Sequence, residues 1–351
     1  MRTHDDWYFT TDDRTTKIYV REIGIGEPFI VIHGGFGAEH SYLIEAVRGL
    51  RSKHRFIFYD QRGSLRSPTA PENISVDKHV ADIESLRRAL GLEQINLLGH
   101  SMGTLLAMKY MRTYPGRTKK VVLVGALYPR AGRFLNDTER ELKSTSDKQF
   151  VEFTKRPEVA AEFEKLGMKG AEKPPAERSA EENKSMAAAW PKLTQKQKAH
   201  LDRISSAAPN IFYIERWPRM AATRPNFKQD AGSAAFKTLE TDYDFVAELR
   251  THSYPVTVII GDHDLSDFGA HRWSWLNDEL NLVRLNVIKR AGHNIWIDQP
   301  RSFRSVLSRV LMGDTRGSGF GFPRASNCSC RRICETRPYV SCFGNSWVNY
   351  R

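Results

Sequence analysis

No cysteine precedes Cys328 in this chain of 351 residues. Any disulfide or thiolate metal site is therefore confined to the C-terminal stretch, where Cys328, Cys330, Cys334 and Cys342 stand. Their spacing, C-x-C-x3-C-x7-C, is not that of a paired C-x2-C zinc ribbon. No apolar run approaches the ~18 residues of a membrane span, so no membrane partner is expected. The opening residues, Met1 to Trp7, lack the apolar core of a signal peptide, and a cytoplasmic location is the expectation. No G-x-G-x-x-G dinucleotide loop and no H-E-x-x-H zinc helix occurs, so neither cofactor nor metal is expected. Long blocks of one charge are missing too. The net charge is +12, but basic residues are interleaved with acids along the chain. That pattern predicts a solvated surface rather than a nucleic-acid interface. Hydrophobic residues make up only 40% of the chain, a low share for a globular protein. They are concentrated in a few short segments, which is enough to build a core. There is no internal repeat.

The apolar residues that are present fall into a clear order. Thr15 to Ile23 alternates apolar and polar, as a half-buried strand does, and Gly24, Gly26 and Pro28 punctuate its end. Continuous apolar runs follow at Phe29–Ile32, Arg55–Tyr59, Ile95–Leu98, Val121–Val124, Val256–Ile260 and Leu285–Ile288, the pattern of strands buried on both faces. Helical periodicity lies between them, at Val76–Leu90 and Leu105–Tyr114, and after the last run at Arg301–Leu311. Strands alternating with helices predict an α/β fold: a mostly parallel sheet covered on both faces. The alternation stops near Pro129 and resumes near Pro255. The charged, helix-prone segment between, with loops expected at Lys173-Pro174-Pro175 and Trp217-Pro218, reads as an inserted helical cap. The expected organisation is a core of residues 1–130 and 253–313, a cap of 131–252, and a tail of 314–351. From Arg316 onward the chain carries six arginines against one glutamate with no apolar period, so the tail is expected to be disordered.

The chemistry is concentrated at strand ends. Gly99-His100-Ser101-Met102-Gly103 is a G-x-S-x-G pentapeptide between a strand and a helix. A serine there occupies a strained turn that exposes its hydroxyl, and the helix N-terminus faces the developing oxyanion. A serine nucleophile needs a base, and the base needs an orienting acid. Gly261-Asp262-His263-Asp264 follows one later strand and Ala291-Gly292-His293-Asn294 follows the last. The catalytic candidates are therefore Ser101, Asp264 and His293. Asp262 and Asp267 are alternative acids, and His263 a weaker alternative base. His33-Gly34-Gly35-Phe36-Gly37 follows the Phe29–Ile32 strand. It offers the N–H of Gly35 or Phe36, with that of Met102, as an oxyanion hole. His33 is expected to structure its loop, His100 to pack beside the nucleophile, and Arg62 to make a structural ion pair. Core packing is the expectation for Trp190, Trp217 and Trp296.

These residues carry a resemblance. The chain resembles the α/β-hydrolase superfamily and, within it, the prolyl aminopeptidase (proline iminopeptidase) branch. That branch's H-G-G-P-G is matched by His33 to Gly37, with Phe36 in place of proline. Its D-Q-R-G-S-G-x-S-x-P is matched by Asp60 to Pro68, one residue shorter around Leu65. Its D-I-E-x-L-R-x-x-L-G is matched by Asp82 to Gly91. The likeness covers roughly residues 15–130 and 255–312. It implies the α/β-hydrolase fold and acyl-enzyme hydrolysis of a small-molecule or short-peptide substrate, with release of an N-terminal residue such as proline. The branch often has G-G-S-W-G at the nucleophile, whereas this chain has the G-H-S-M-G common in esterases, so a carboxylesterase is the alternative. A ligand-binding relative without catalysis is a further reading. A free amine needs a facing carboxylate, and Glu215, which interrupts Ile211-Phe212-Tyr213-Ile214 before Trp217, is the cap candidate. The competing reading of Glu215 is an exposed residue at a helix end.

Overall fold

Segments that are apolar at every position can bury both faces of a strand, and they line up here in one eight-stranded sheet of order β1-β2-β4-β3-β5-β6-β7-β8. The strands are β1 (His4–Thr10), β2 (Lys17–Gly24), β3 (Glu27–Ile32), β4 (His54–Tyr59), β5 (Ile95–His100), β6 (Thr118–Val124), β7 (Val256–Gly261) and β8 (Val283–Ile288). The computed structural model describes residues 4–131, 136–173, 177–223, 227–266, 269–277, 280 and 283–313. The expected tail 314–351 and Pro174-Pro175 lie outside the described residues. β3 to β8 are mutually parallel, while β1 and β2 add antiparallel pairs at one edge.

The period of two sorts the side chains into two cores. Ile30, Ile32, Ile57, Leu97, Val121, Leu123 and Val258 face one cluster. Phe29, Val31, Phe56, Phe58, Leu98, Val122 and Ile259 face the other. Helices α1 (Val76–Ala89) and α2 (Met102–Thr113) cover the first face through Val80, Ile83, Leu86, Leu105 and Met108. Between β6 and β7 come α3 (Asp137–Thr154), α4 (Pro157–Lys165), α5 (Ala180–Ala189), α6 (Gln195–Asn210), α7 (Trp217–Thr223), α8 (Gln229–Phe236) and α9 (Val246–Thr251). Phe153, Phe163, Leu201 and Ile204 of this segment join the second core, whereas Ala231, Ala235 and Leu249 join the first. The chain ends its described fold with α10 (Gly269–Asn277), α11 (Ile295–Asp298) and α12 (Pro300–Leu311). α12 closes the second face with Phe303, Leu307 and Leu311. No helix among the described residues is long and apolar enough to cross a membrane.

Two local features depart from the sequence reading. β1, an edge strand that the sequence reading does not include, has only the short run Trp7-Tyr8-Phe9 and is also held by cross-strand polar pairs: Arg21 grips Asp6 through Nε–Oδ1 at 2.9 Å and Nη2–Oδ2 at 2.8 Å, and Trp7 Nε1 donates to Glu22 at 2.8 Å. Trp217-Pro218 is not a loop but the start of α7. Proline is tolerated in a first helical turn, where its missing N–H would have had no partner.

Arg62 is buried, as an ion-paired residue can be, and its Nε and Nη2 meet both oxygens of the buried Asp82 at 2.7 and 2.6 Å. Nη1 reaches Asp13 at 3.0 Å and the Asn73 carbonyl at 2.7 Å. This pins the loop after β4 to α1. Asp82→Ala leaves a buried guanidinium with Asp13 and the Asn73 carbonyl as partners, and denaturant unfolding is expected to read a loss of about 3 kcal/mol, the low end for a broken buried pair. A loss under 1 kcal/mol would mean that water reaches the pair.

Candidate active site

β5 turns into α2 at Ser101, and the turn is strained. Ser101 has φ +54° and ψ −127°, in the left-handed half of the map that a residue with a side chain seldom enters. Its own N–H donates to the Val124 carbonyl at 3.2 Å, and its carbonyl accepts from Thr104 N at 2.8 Å. The turn is tied to the next strand and to its own helix, leaving the hydroxyl at the helix N-terminus. Among the described residues Ser101 Oγ makes no hydrogen bond. Such contacts commonly tighten only when substrate is bound.

The loops after β7 and β8 lie beside this turn. His293 Nδ1 is 2.8 Å from Asp264 Oδ2, and both residues are buried. Asp264 Oδ1 accepts from Ser266 N at 3.1 Å. The carboxylate thus sits between a backbone donor and the imidazole, and His293 Nε2 is the ring nitrogen that Asp264 does not engage. Asp262 is occupied elsewhere. Its Oδ1 is 2.7 Å from the exposed His263, and Lys289 lies 3.7 Å from Oδ2. Burial works to raise the Asp262 carboxyl, but the His263 contact, the charges of His263 and Lys289 and the Ala291 N–H outweigh it and hold it below its ordinary value. Asp267 lies outside the described residues.

The loop after β3 supplies backbone donors. Among the described residues the N–H groups of Gly35, Phe36 and Met102 have no protein acceptor. His33 explains one of them. Gln61 N donates to His33 Nε2 at 3.1 Å, so the ring proton stands on Nδ1, which donates to the Gly34 carbonyl at 3.1 Å. In a trans peptide the N–H points opposite to the C=O, so the Gly35 N–H is turned away from His33. The Phe36 side chain is turned into the protein, stacked on the buried His79 at 5.3 Å. Burial, and then the charge of Arg62, push His79 down to about 3, so this stack is uncharged. Gly34 lies against the nucleophile: a Cβ there would sit 2.5 Å from Ser101 Cβ and 2.9 Å from the His100 carbonyl. Gly34→Ala must push the two loops apart. A displacement near 1 Å costs on the order of 100-fold in turnover, and kcat on an aryl ester is expected to fall by that much. A variant of full activity would mean that the loop yields freely.

Behind the loop, Glu39, His40 and Asp60 bring three possible ligand atoms within 4.8 Å of one another. His40 Nδ1 is 2.6 Å from Asp60, and Arg66 Nη1 lies 3.1 Å from Asp60 and 3.4 Å from Glu39. Burial works to raise Asp60, and the His40 hydrogen bond with the charge of Arg66 holds it below its ordinary value. The guanidinium already supplies the positive charge a cation would bring, so this is an ion-pair network that braces the loop.

Glu215 stands in a short 3-10 turn, Ile214–Arg216, and is exposed. Trp296 is packed in the core, and Trp190 and Trp217 are partly buried against it. Three residues next to the site carry no motif of their own. Gly125, directly after β6, would place a Cβ 3.0 Å from His293 Nδ1. Its position at a strand's carboxyl end was the signal for it. Tyr42 reaches both Gly34 and His100. Asp298 accepts from Gly292 N at 2.8 Å and from Phe212 and Tyr213 N at 2.8 and 3.0 Å, joining the His293 loop to the chain after α6.

Comparison with known proteins places the fold. The family model described as alpha/beta hydrolase fold matches residues 27–300. A proline iminopeptidase of Levilactobacillus brevis is 26% identical over 289 residues, covering 81% of this chain and 88% of the relative. Among solved structures, a proline iminopeptidase-related protein from Thermus thermophilus superposes with TM-score 0.59 at 21% identity, covering 89% of this chain and 98% of that one. An esterase from Thermogutta terrifontis superposes with TM-score 0.58 at 17% identity, covering 88% and 98%.

Proposed function

The chain belongs to the alpha/beta hydrolase fold family, and on that premise we propose that it is a serine hydrolase working through an acyl-enzyme. The observation that carries the reading is Ser101, held at φ +54° at the start of α2 on the same sheet edge as the buried His293–Asp264 pair. In the proposed cycle His293 Nε2 takes the Ser101 proton as Oγ attacks an ester or amide carbonyl. The N–H groups of Met102 and of Gly35 or Phe36 receive the oxyanion. The imidazolium, stabilised by Asp264, returns the proton to the leaving group, and the carbonyl–leaving-group bond breaks. Water, deprotonated by His293, then cleaves the acyl-enzyme and Ser101 regains its proton. Residues 131–252 act as a cap that excludes water and selects the substrate. A fluorophosphonate probe tests the chemistry: Ser101 should be labelled, and Ser101→Ala should not.

Within this class the leading substrate is a short peptide or amide with a free N-terminus, such as proline. The support is the matched sequence motifs and the Levilactobacillus brevis relative named for that activity. A carboxylesterase is the second reading, favoured by the exposure of Glu215, since an exposed carboxylate pairs only weakly with an ammonium. Under the aminopeptidase reading Glu215→Gln raises KM for a proline arylamide and spares a neutral aryl ester. Wild-type turnover of aryl esters without arylamide turnover would select the esterase.

A further inference from the structure

Three of the loops at the site come from strands far apart in sequence, and one buried polar chain joins them. Gly34 N is 2.7 Å from Tyr42 Oη, Tyr42 Oη is 2.8 Å from His100 Nδ1, and His100 Nε2 is 3.4 Å from the His293 carbonyl. Tyr42 and His100 are both buried. The chain's direction is set at its two ends, where each group has a single role. A backbone N–H can only donate and a carbonyl can only accept. Gly34 therefore donates to Tyr42, and His100 carries its proton on Nε2. The neutral ring's Nδ1 is then the acceptor for the Tyr42 hydroxyl. Ring packing holds the same groups: His100 lies 4.8 Å from the His293 ring and 4.9 Å from Trp296, against which Tyr42 also packs at 6.1 Å.

We propose that Tyr42 and His100 are positioning residues that hold the Gly34 loop and the His293 loop in register with Ser101. The role rests on the serine-hydrolase reading above. His100 immediately precedes Ser101, so a shift of its ring moves the strained turn directly. Gly34 precedes Gly35, whose N–H is a donor in that reading, so losing the Tyr42 contact frees the His33–Gly34 peptide, the neighbour of the one that carries that N–H. Neither side chain is asked to touch substrate. Their contribution lies in fixing distances between groups that react, a function the low-dielectric interior strengthens.

Tyr42→Phe and His100→Phe remove the polar atoms and keep an aromatic ring in each place. On a small aryl ester each is expected to lower kcat about 10-fold with KM nearly unchanged, as slightly displaced reacting groups do. Because the two act in series, the double variant should be no worse than the worse single one. Nitrogen-15 NMR of the imidazoles gives a readout that packing alone would not move. Wild-type His100 should carry its proton on Nε2, held there by the His293 carbonyl, and Tyr42→Phe should shift the Nδ1 resonance, which loses its hydrogen-bond donor, while the melting temperature stays near wild type. A wild-type proton on Nδ1, or single losses that multiply in the double variant, would overturn the proposal. Fluorophosphonate labelling separates the two layers. An unlabelled wild type overturns the serine-hydrolase reading and with it any catalytic role for the pair. A labelled wild type whose two variants turn over at the wild-type rate overturns the positioning role alone.

Discussion

Ser101→Ala should abolish turnover almost completely, lowering kcat on the order of a million-fold, with His293→Ala close behind. Both effects share one cause. Without the hydroxyl there is no acyl-enzyme, and without the imidazole nothing takes its proton at neutral pH. The two losses should not multiply, because nucleophile and base act as one unit. The double variant is expected to match either single variant, with residual catalysis from the backbone donors. Neither change should unfold the protein. Alanine at 101 removes only an oxygen from a turn whose backbone bonds, to Val124 and from Thr104, remain. Stopped-flow and long-time assays on an aryl ester, with melting curves alongside, check this. A Ser101→Ala variant that keeps more than a hundredth of the activity would remove serine from the mechanism.

Asp264→Asn is the second large effect, with kcat expected to fall about 10,000-fold. The amide keeps the shape of the carboxylate but not its charge. It can present an N–H where His293 Nδ1 must donate at 2.8 Å, which favours the wrong ring tautomer, and it no longer stabilises the imidazolium. Asp262→Asn provides the contrast. Asp262 faces the exposed His263 and Lys289, so its loss is expected to leave kcat within a few-fold of wild type. Measuring both variants on one substrate decides the assignment. If the Asp262 variant is the more damaged, the acid in the reaction is not Asp264.

Much of this arrangement was legible in the chain. Strands buried on both faces must be apolar throughout, so Phe29–Ile32, Ile95–Leu98, Val121–Val124 and Val256–Ile260 stood out as runs. Their alternation with helices required a parallel sheet. Parallel strands share one carboxyl edge, so the loops holding Gly35, Ser101, Asp264 and His293 were bound to gather there. What the chain could not reveal is which groups meet across that edge, because contact there depends on loop geometry and not on period. Asp262 and Asp264 are two residues apart, and only the folded loop turns one toward His293 and the other toward His263. Phe36 stood in the motif as a residue of the oxyanion loop, yet its ring belongs to a stack with His79. Glu215 interrupts an apolar run, but its own side chain is exposed. The strand β1 and the start of α7 were hidden because three aromatics among charged residues, and a proline in a first helical turn, leave no clear period. Tyr42 lies 58 residues from His100, with no motif of its own. Sequence period decides what must be buried, and therefore the sheet and its reactive edge. Hydrogen-bond partners are chosen by distance and direction, and those exist only once the loops have closed on one another.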